Sequence, residues 1–269
     1  MNDSAQSVKP RVLLLDVETT PIIGYTWKTW ETNVIKIIQH RQIFCFSWKW
    51  LGDKTVNVVG LCDFPGYKIY KNTGGMLPPA RDNRLLIKRL NEVMSGADIV
   101  VGHNIKKFDD KRANTDLIKN GFAPPPPHRL VDTLEFARHK FDFESNKLDD
   151  LGKFLGVGRK VKHWGFELWE RCMYGDPEAW TLMKKYNKGD VWPLLEGVYL
   201  KLRPWMAHHP NMNAIDRNDG CPVCRSRNLE TRGYSILTTG KRPRFRCKDC
   251  GKWSTGVVIR GKWEFRGRA

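Results

Sequence analysis

The stretch RVLLLDVETT, residues 11–20, constrains the fold more than any other. A run of large apolar residues closed by an acid suits a buried strand with its carboxylate at the tip. Asp16 and Glu18 stand two apart, so while the strand continues they project from one face. Two acids side by side at the end of a buried strand repel each other and cost stability unless a cation offsets them. Taken alone, D-x-E is common by chance, and a solvated strand end is its ordinary reading.

Downstream, QIFCFSWKW (42–50) and KTVNVVGLC (54–62) flank the turn LGD as two further strands. Residues 63–80 hold several glycines and prolines and read as loop. Helical periodicity over 81–97 is followed by the apolar strand DIVVGHN (98–104) and a helix over 108–121 that stops at Gly121. PPPP (124–127) is a stiff extended connector. Helices are predicted at 131–139, 146–155 and 166–173, then a longer one from Asp176 to about Leu202. The predicted fold is an α/β core with a mixed sheet over 10–202, after an N-terminal tail at 1–9. A linker at 203–216 leads to a small second domain at 217–269.

Two more acids sit at comparable places. In VGHNIKKFDDK an apolar strand runs into His103 and Asn104, and Asp109 then opens a helix. By itself Asp109 reads as a complement to the helix dipole, and His103 as a strand-end histidine outside the chemistry. In KKYNKGDVWP, Tyr186 and Asp190 share one helix face at i and i+4, although Gly189 and Pro193 weaken a helix interior. Asp16, Glu18, Asp109 and Asp190 thus lie beside strand or helix ends of a single core. Four converging carboxylates would hold two divalent cations, the arrangement used for in-line displacement at phosphorus. Hard oxygen ligands point to Mg²⁺ or Mn²⁺.

These segments carry a resemblance. DVETT, HNIKKFD and YNKGD resemble the three exonuclease motifs of DnaQ-like 3′–5′ exonucleases on the RNase H-like fold, in their DEDDy subgroup. The family's D-x-E falls on Asp16 and Glu18, its second motif on Asn104, Phe108 and Asp109, and its third on Tyr186 and Asp190. The resemblance implies that the four acids are metal ligands and that Tyr186 positions the attacking water. It also implies that Thr19 contacts the 3′-terminal nucleotide and makes Asn104 a substrate-binding candidate, while Phe108 either packs against a terminal base or, the preferred reading, staples the helix. The sister subgroup would place a histidine at 185, where this chain has lysine.

The basic end of the chain is a separate signal. The full chain has 46 Lys and Arg against 29 Asp and Glu, a formal +17. Residues 217–269 account for +10 of it, with 14 basic residues and 4 acidic. Concentrated positive charge of this kind suits a polyanion, most simply nucleic acid. The same segment holds Cys221, Cys224, Cys247 and Cys250 as two C-x-x-C pairs, enough for one tetrahedral structural Zn²⁺. It resembles a zinc ribbon, with a hairpin turning near Gly240. Arg242, Arg244, Phe245 and Trp253 interleave cations with aromatics in the way that single-stranded nucleic acid favours. Docking on a polymerase or replisome protein is the rival use of such a module.

MNDSAQSVKP shows no apolar h-region and no apolar run is long enough to cross a bilayer, so a cytoplasmic protein without membrane contact is expected. The expected activity is 3′–5′ exonuclease action on nucleic-acid 3′ ends, with single-stranded DNA favoured by the resemblance. An RNase H-like endonuclease or resolvase, and a non-catalytic nucleic-acid adaptor, are the alternatives.

Overall fold

The structure, a computed structural model, describes residues 9–30, 33–70, 77–216, 219–259 and 262–268, with backbone alone from 257. The chain divides into two compact units, Leu13–Val198 and a second formed by Tyr199–Ala269 with the segment through Val12.

In the first unit the apolar run forms β1 (Val12–Thr19), in which Leu13, Leu14 and Leu15 are all fully buried. Burial on both faces is what a central strand requires. With β2 (Ile23–Tyr25), β3 (Lys36–Gln39), β4 (Ile43–Trp50), β5 (Asn57–Gly60), β6 (Ile99–Gly102) and β7 (Arg129–Asp132), it accounts for the strands of this unit. The main sheet has the order β5-β4-β1-β6-β7. β4 runs antiparallel to β1 and to β5, whereas β6 and β7 are parallel. Helices α1 (Arg84–Ser95), α2 (Asp109–Lys119), α3 (Thr133–Lys140), α4 (Leu148–Phe154), α5 (Phe166–Tyr174) and α6 (Pro177–Gly189) follow in chain order. Leu86, Leu90 and Met94 of α1, Leu117 of α2, and Trp180 and Met183 of α6 share one core with Leu13, Phe44 and Phe46 of the sheet. A five-stranded mixed sheet flanked by helices is the RNase H-like architecture expected.

The predicted elements recur with ends shifted by a few residues, and several features were not anticipated. β2 and β3 form a separate two-stranded hairpin, and β7 occupies the start of the segment expected as helix from 131. Part of the predicted 63–80 loop, residues 71–76, lies outside the described residues.

The long helix expected from Asp176 to Leu202 is also interrupted. After α6 the backbone makes a π-type turn over Asp190–Leu195, leaves helical angles at Trp192 (φ −140°, ψ 128°), and resumes as α7 (Glu196–Leu202). The Trp192–Pro193 peptide bond is cis. The break therefore falls at Trp192, while Gly189 itself is helical (φ −62°, ψ −33°). A Cβ on Gly189 would lie 3.0 Å from Cγ2 of Val161, so its missing side chain admits the loop that carries residues 158–161.

In the second unit, β8 (Leu229–Leu237) and β9 (Gly240–Cys247) pair antiparallel around a turn at Thr238–Thr239. β10 (Trp253–Ile259) and β11 (Lys262–Arg268) complete a four-stranded sheet of order β11-β10-β9-β8. The segment 203–216, expected as a linker, is not an open connector: Met206, His209, Met212 and Asn213 are buried in it. Tyr199 hydroxyl and His209 Nε2 lie 2.7 Å apart, and Lys252 donates to the Met206 carbonyl at 2.7 Å.

Asp116, fully buried on α2, ties three elements of the first unit together. It accepts hydrogen bonds from Ile43 N–H (2.6 Å), Asn83 Nδ2 (3.1 Å) and the Arg112 guanidinium. Removing a buried partner leaves the cation and the Ile43 N–H unsatisfied. Asp116→Ala is expected to cost roughly 3 kcal/mol or more, read as a lower urea midpoint with unchanged slope.

Candidate active site and cysteine cluster

Asp16 and Glu18 leave β1 on one face, and α6 delivers Asp190 to them at its C-terminal end. Single carboxylate oxygens of Asp16, Glu18 and Asp190 lie within 4.8 Å of one another. Asp109, at the first turn of α2, stands beside this trio but outside that limit. Its Oδ1 accepts from the backbone N–H of Val17, the residue between the two strand acids, at 3.1 Å. The structure thus brings three of the four predicted ligands together and anchors the fourth to the strand that holds two of them.

Each acid is shifted in the direction its surroundings require. Burial, then repulsion from Asp190, Glu18 and Asp109, drives Asp16 well up. Burial and the Asp190 charge push Glu18 up to about 8, and burial pushes Asp109 up to about 7. Asp190 is raised by burial, with Lys160 opposing. Such a set holds together as carboxylates only beside positive charge.

Three side chains not assigned to this site from the sequence complete it. Lys160 donates to Asp190 Oδ2 at 2.6 Å and to the Tyr186 hydroxyl at 2.9 Å. Burial alone would lower Lys160, and Asp190 and Tyr186 reverse this, so it stays a cation. Arg159 is engaged by Asp149, whose Oδ1 also accepts from the Lys160 N–H at 2.6 Å, fixing the loop that aims Lys160 inward. Asn187, fully buried, donates to Asp16 Oδ2 at 2.5 Å, and its own carbonyl accepts from Ser47 Oγ at 2.7 Å. Trp169 opposes the rise of Glu18 and packs edge-on against the Tyr186 ring, and His163 contacts both rings. A buried polar residue beside Tyr186 was the available signal for Asn187. For Lys160 there was none, since its role depends on a loop folding back across 26 residues of chain.

The other predicted residues divide. Asn104 adopts a left-handed conformation (φ 73°), and its N–H donates to Asp132 Oδ1 at 3.0 Å. This turns the chain between β6 and α2. Asparagine tolerates that conformation better than most residues. Phe108 packs against the core, and Thr19 sits where a bulge shifts the β1–β4 register. His103 is tied to Thr133 Oγ1 and the Asn146 carbonyl, both at 2.9 Å, and burial lowers it to about 4.

The donor chemistry fits divalent cations. The ligands are hard oxygens, and Asp190 Oδ1 is buried without a hydrogen-bond partner among the described residues. In the second unit Cys221, Cys224, Cys247 and Cys250 also cluster within 4.8 Å. Sγ–Sγ separations of 3.6 Å for Cys221–Cys250 and Cys224–Cys247 approach the roughly 3.8 Å of a tetrahedral zinc site. The two knuckles match. Arg225 N–H returns to the Cys221 carbonyl and Gly251 N–H to that of Cys247, with Arg225 and Gly251 both at positive φ. On this unit Lys241 lies over the Tyr234 ring at 4.6 Å and Arg244 over Trp253 at 5.6 Å. Arg242 and Phe245 are half-buried on the same strand, β9.

Residues 66–167 match the family model RNase_T, described as Exonuclease. The match takes in Asp109 and Lys160 and stops short of Asp16, Glu18, Tyr186 and Asp190, and it supports a nuclease-type hydrolase. No curated protein sequence matches the chain. Among solved structures, the family B DNA polymerase from the hyperthermophilic archaeon Pyrobaculum calidifontis is similar, with a TM-score of 0.51 at 17% identity. The similarity covers 80% of this chain and 26% of the polymerase, so the chain spans about a quarter of that protein's length and shares its fold over that part. No helix among the described residues is long and apolar enough to cross a membrane.

The acid shifts fix a pH signature. Between the ordinary values of 4.5 and 3.8 and the raised values of about 8 and about 7, for Glu18 and Asp109 respectively, the folded chain keeps protons that the unfolded chain has lost. Cation-free stability therefore falls as pH rises through this window. Cation affinity rises across it, because ligation needs ionised carboxylates. Melting curves in divalent-free buffer should drop from about pH 5 to about pH 8, and saturating Mn²⁺ should remove most of the drop. A flat cation-free profile would show that these acids ionise normally.

Proposed function

We propose that the chain is a metal-dependent 3′–5′ exonuclease that removes nucleotides from nucleic-acid 3′ ends, with single-stranded DNA as the favoured substrate. The reading assigns 10–202 to the nuclease domain and 217–269 to a zinc ribbon that holds nucleic acid. The observation that carries it is the convergence of half-buried Asp16 and Glu18 on buried Asp190, linked through Lys160 to the hydroxyl of Tyr186. Asp16, Glu18 and Asp190, with Asp109 beside them, would hold two Mg²⁺ or Mn²⁺ ions. Bound there, such ions activate water and neutralise charge on the phosphate and the leaving oxygen.

The chain's own residues supply position. Asn187 fixes one carboxylate oxygen of Asp16, leaving the other for ligation. Burial, then the Asp190 charge, raises the Tyr186 phenol further above its ordinary value, so at neutral pH it is a hydroxyl that orients the attacking water rather than a base that deprotonates it. Lys160 pins that hydroxyl. Its ammonium also adds a charge that favours a phosphate at the same place.

The test is a time course on 5′-end-labelled single-stranded DNA and RNA with Mg²⁺ or Mn²⁺. A ladder shortening from the 3′ end is expected, with Asp190→Ala slower by at least about a hundredfold. Tyr186→Phe and Lys160→Ala should lose roughly tenfold to a hundredfold in kcat while still binding Mn²⁺, as positioning losses do. Discrete internal products abolished by Asp190→Ala would instead mean an endonuclease, and binding without cleavage an adaptor.

The cysteine cluster is read as one structural Zn²⁺ per chain. Among the described residues its buried apolar cluster is Cys221, Val223 and Cys247, with Cys224, Leu229 and Cys250 packed against them, a small core to fold without a cross-link. Elemental analysis should find one zinc, lost in Cys221→Ser/Cys247→Ser. Amide exchange should then accelerate across 221–256 while 13–198 stays protected. Zinc-free protein with unchanged protection there would overturn the assignment.

A further inference from the structure

Among the described residues β2 and β3 pair only with each other, in a hairpin that begins four residues beyond Thr19, at the end of the strand carrying Asp16 and Glu18. A two-stranded ribbon of this kind is marginal in water and profits from burying its large side chains. This one leaves them out. Trp27 is 88% exposed and Trp30 83%, with Tyr25 and Ile35 also exposed. Single exposed apolar residues are ordinary, but a contiguous group marks a contact surface. Trp27 and Trp30, with Lys28 between them, line an open recess of about 540 Å³.

Charge selects the kind of partner. Between Glu18 and Lys49, itself buried and paired with Glu196, the sequence holds Lys28, Lys36 and Arg41 against one acid, Glu31. At the base of the hairpin a second recess of about 690 Å³ is shared with α2, and every charged side chain lining it is basic: Arg41, Arg112 and Lys119, with His40 beside them. Arg112 is partly neutralised by Asp116. Arg41 and Lys119 are exposed. Aromatic faces at one end of a hairpin and cations at the other match stacked bases and their phosphates.

We propose that the β2–β3 hairpin is a second nucleic-acid contact of the first unit, at which Trp27 and Trp30 stack on bases of a single strand and Arg41 and Lys119 meet its phosphates. The proposal rests on the nuclease reading for the polymer's presence at the neighbouring acids, and it adds the element that holds the strand beyond the reacting end.

The test compares the full-length protein with Trp27→Ala/Trp30→Ala and with Arg41→Gln/Lys119→Gln. Binding of a fluorescein-labelled oligothymidylate is followed by anisotropy in Ca²⁺. Hydrolysis of thymidine 5′-p-nitrophenyl phosphate, a phosphodiester too small to reach the hairpin, is followed in Mn²⁺. The tryptophan variant should bind the oligonucleotide about tenfold more weakly or worse for each ring removed, with ester hydrolysis within twofold of the parent. The Arg41/Lys119 variant should lower the slope of log affinity against log salt by roughly 0.7 for each phosphate that is no longer neutralised. Oligonucleotide affinity equal to the parent's in both variants would overturn the proposal. So would a tryptophan variant that binds normally but changes from dimer to monomer in light scattering, which would assign the surface to a second copy of the chain. Failure of the parent to hydrolyse the ester would count against the nuclease reading alone, because the binding comparison needs no turnover.

Discussion

The structure is organised around the repulsion among carboxylates gathered at one end of a buried strand. Asp16, Glu18 and Asp190 are held close enough for their charges to oppose one another, in surroundings that already disfavour charge. Nothing in that arrangement helps the apo fold. It persists because the elements delivering the acids are fixed by independent packing. β1 is central in its sheet and buried on both faces, and α6 is locked to the core by Trp180 and Met183. Asp109 is anchored by a backbone hydrogen bond from the same strand. Stability spent on holding like charges together is ordinary at a site that binds cations, and unusual elsewhere.

The surrounding residues compensate for that cost in particular ways. Lys160 places one ammonium on Asp190, and the loop that carries it is held by Asp149 through both Arg159 and the Lys160 N–H. The absence of a side chain at Gly189 allows this loop to approach α6. One glycine, one surface acid and one lysine therefore act together. Substituting Gly189 would be felt at Tyr186 and Asp190 although a glycine has no chemistry of its own.

Much of this was legible in the sequence because it rests on local rules. The apolar run with its D-x-E, the Tyr–Asp spacing on one helix face and the paired cysteines each follow from strand period, helix period or ligand geometry. What escaped depends on partners distant in sequence or on backbone states that residue types do not announce. Lys160 faces the site through a loop, and Asp116 binds Ile43 across 73 positions. The helix break falls at Trp192 rather than at the more suggestive Gly189. The segment 203–216 looked like a linker because it is rich in proline, histidine and asparagine. Its methionines and His209 are nonetheless buried, since a few apolar side chains suffice when a small core beside them has room.

The same distinction bears on the two basic, aromatic surfaces. On β9 and β10 the cations lie over the rings, Arg244 above Trp253, and each pair partly satisfies itself. On the β2–β3 hairpin Trp27 and Trp30 are exposed over most of their surface, with Lys28 between them in sequence. A ring already covered by a cation offers a base one face, whereas an uncovered ring offers two. An exposed tryptophan also gives up its hydrophobic stabilisation until something covers it. By that measure the hairpin, which was not singled out from the sequence, is the less self-satisfied of the two surfaces. On the proposed reading the charge concentrated in the C-terminal segment would attract a polyanion, and the exposed rings of the hairpin would supply the stacking.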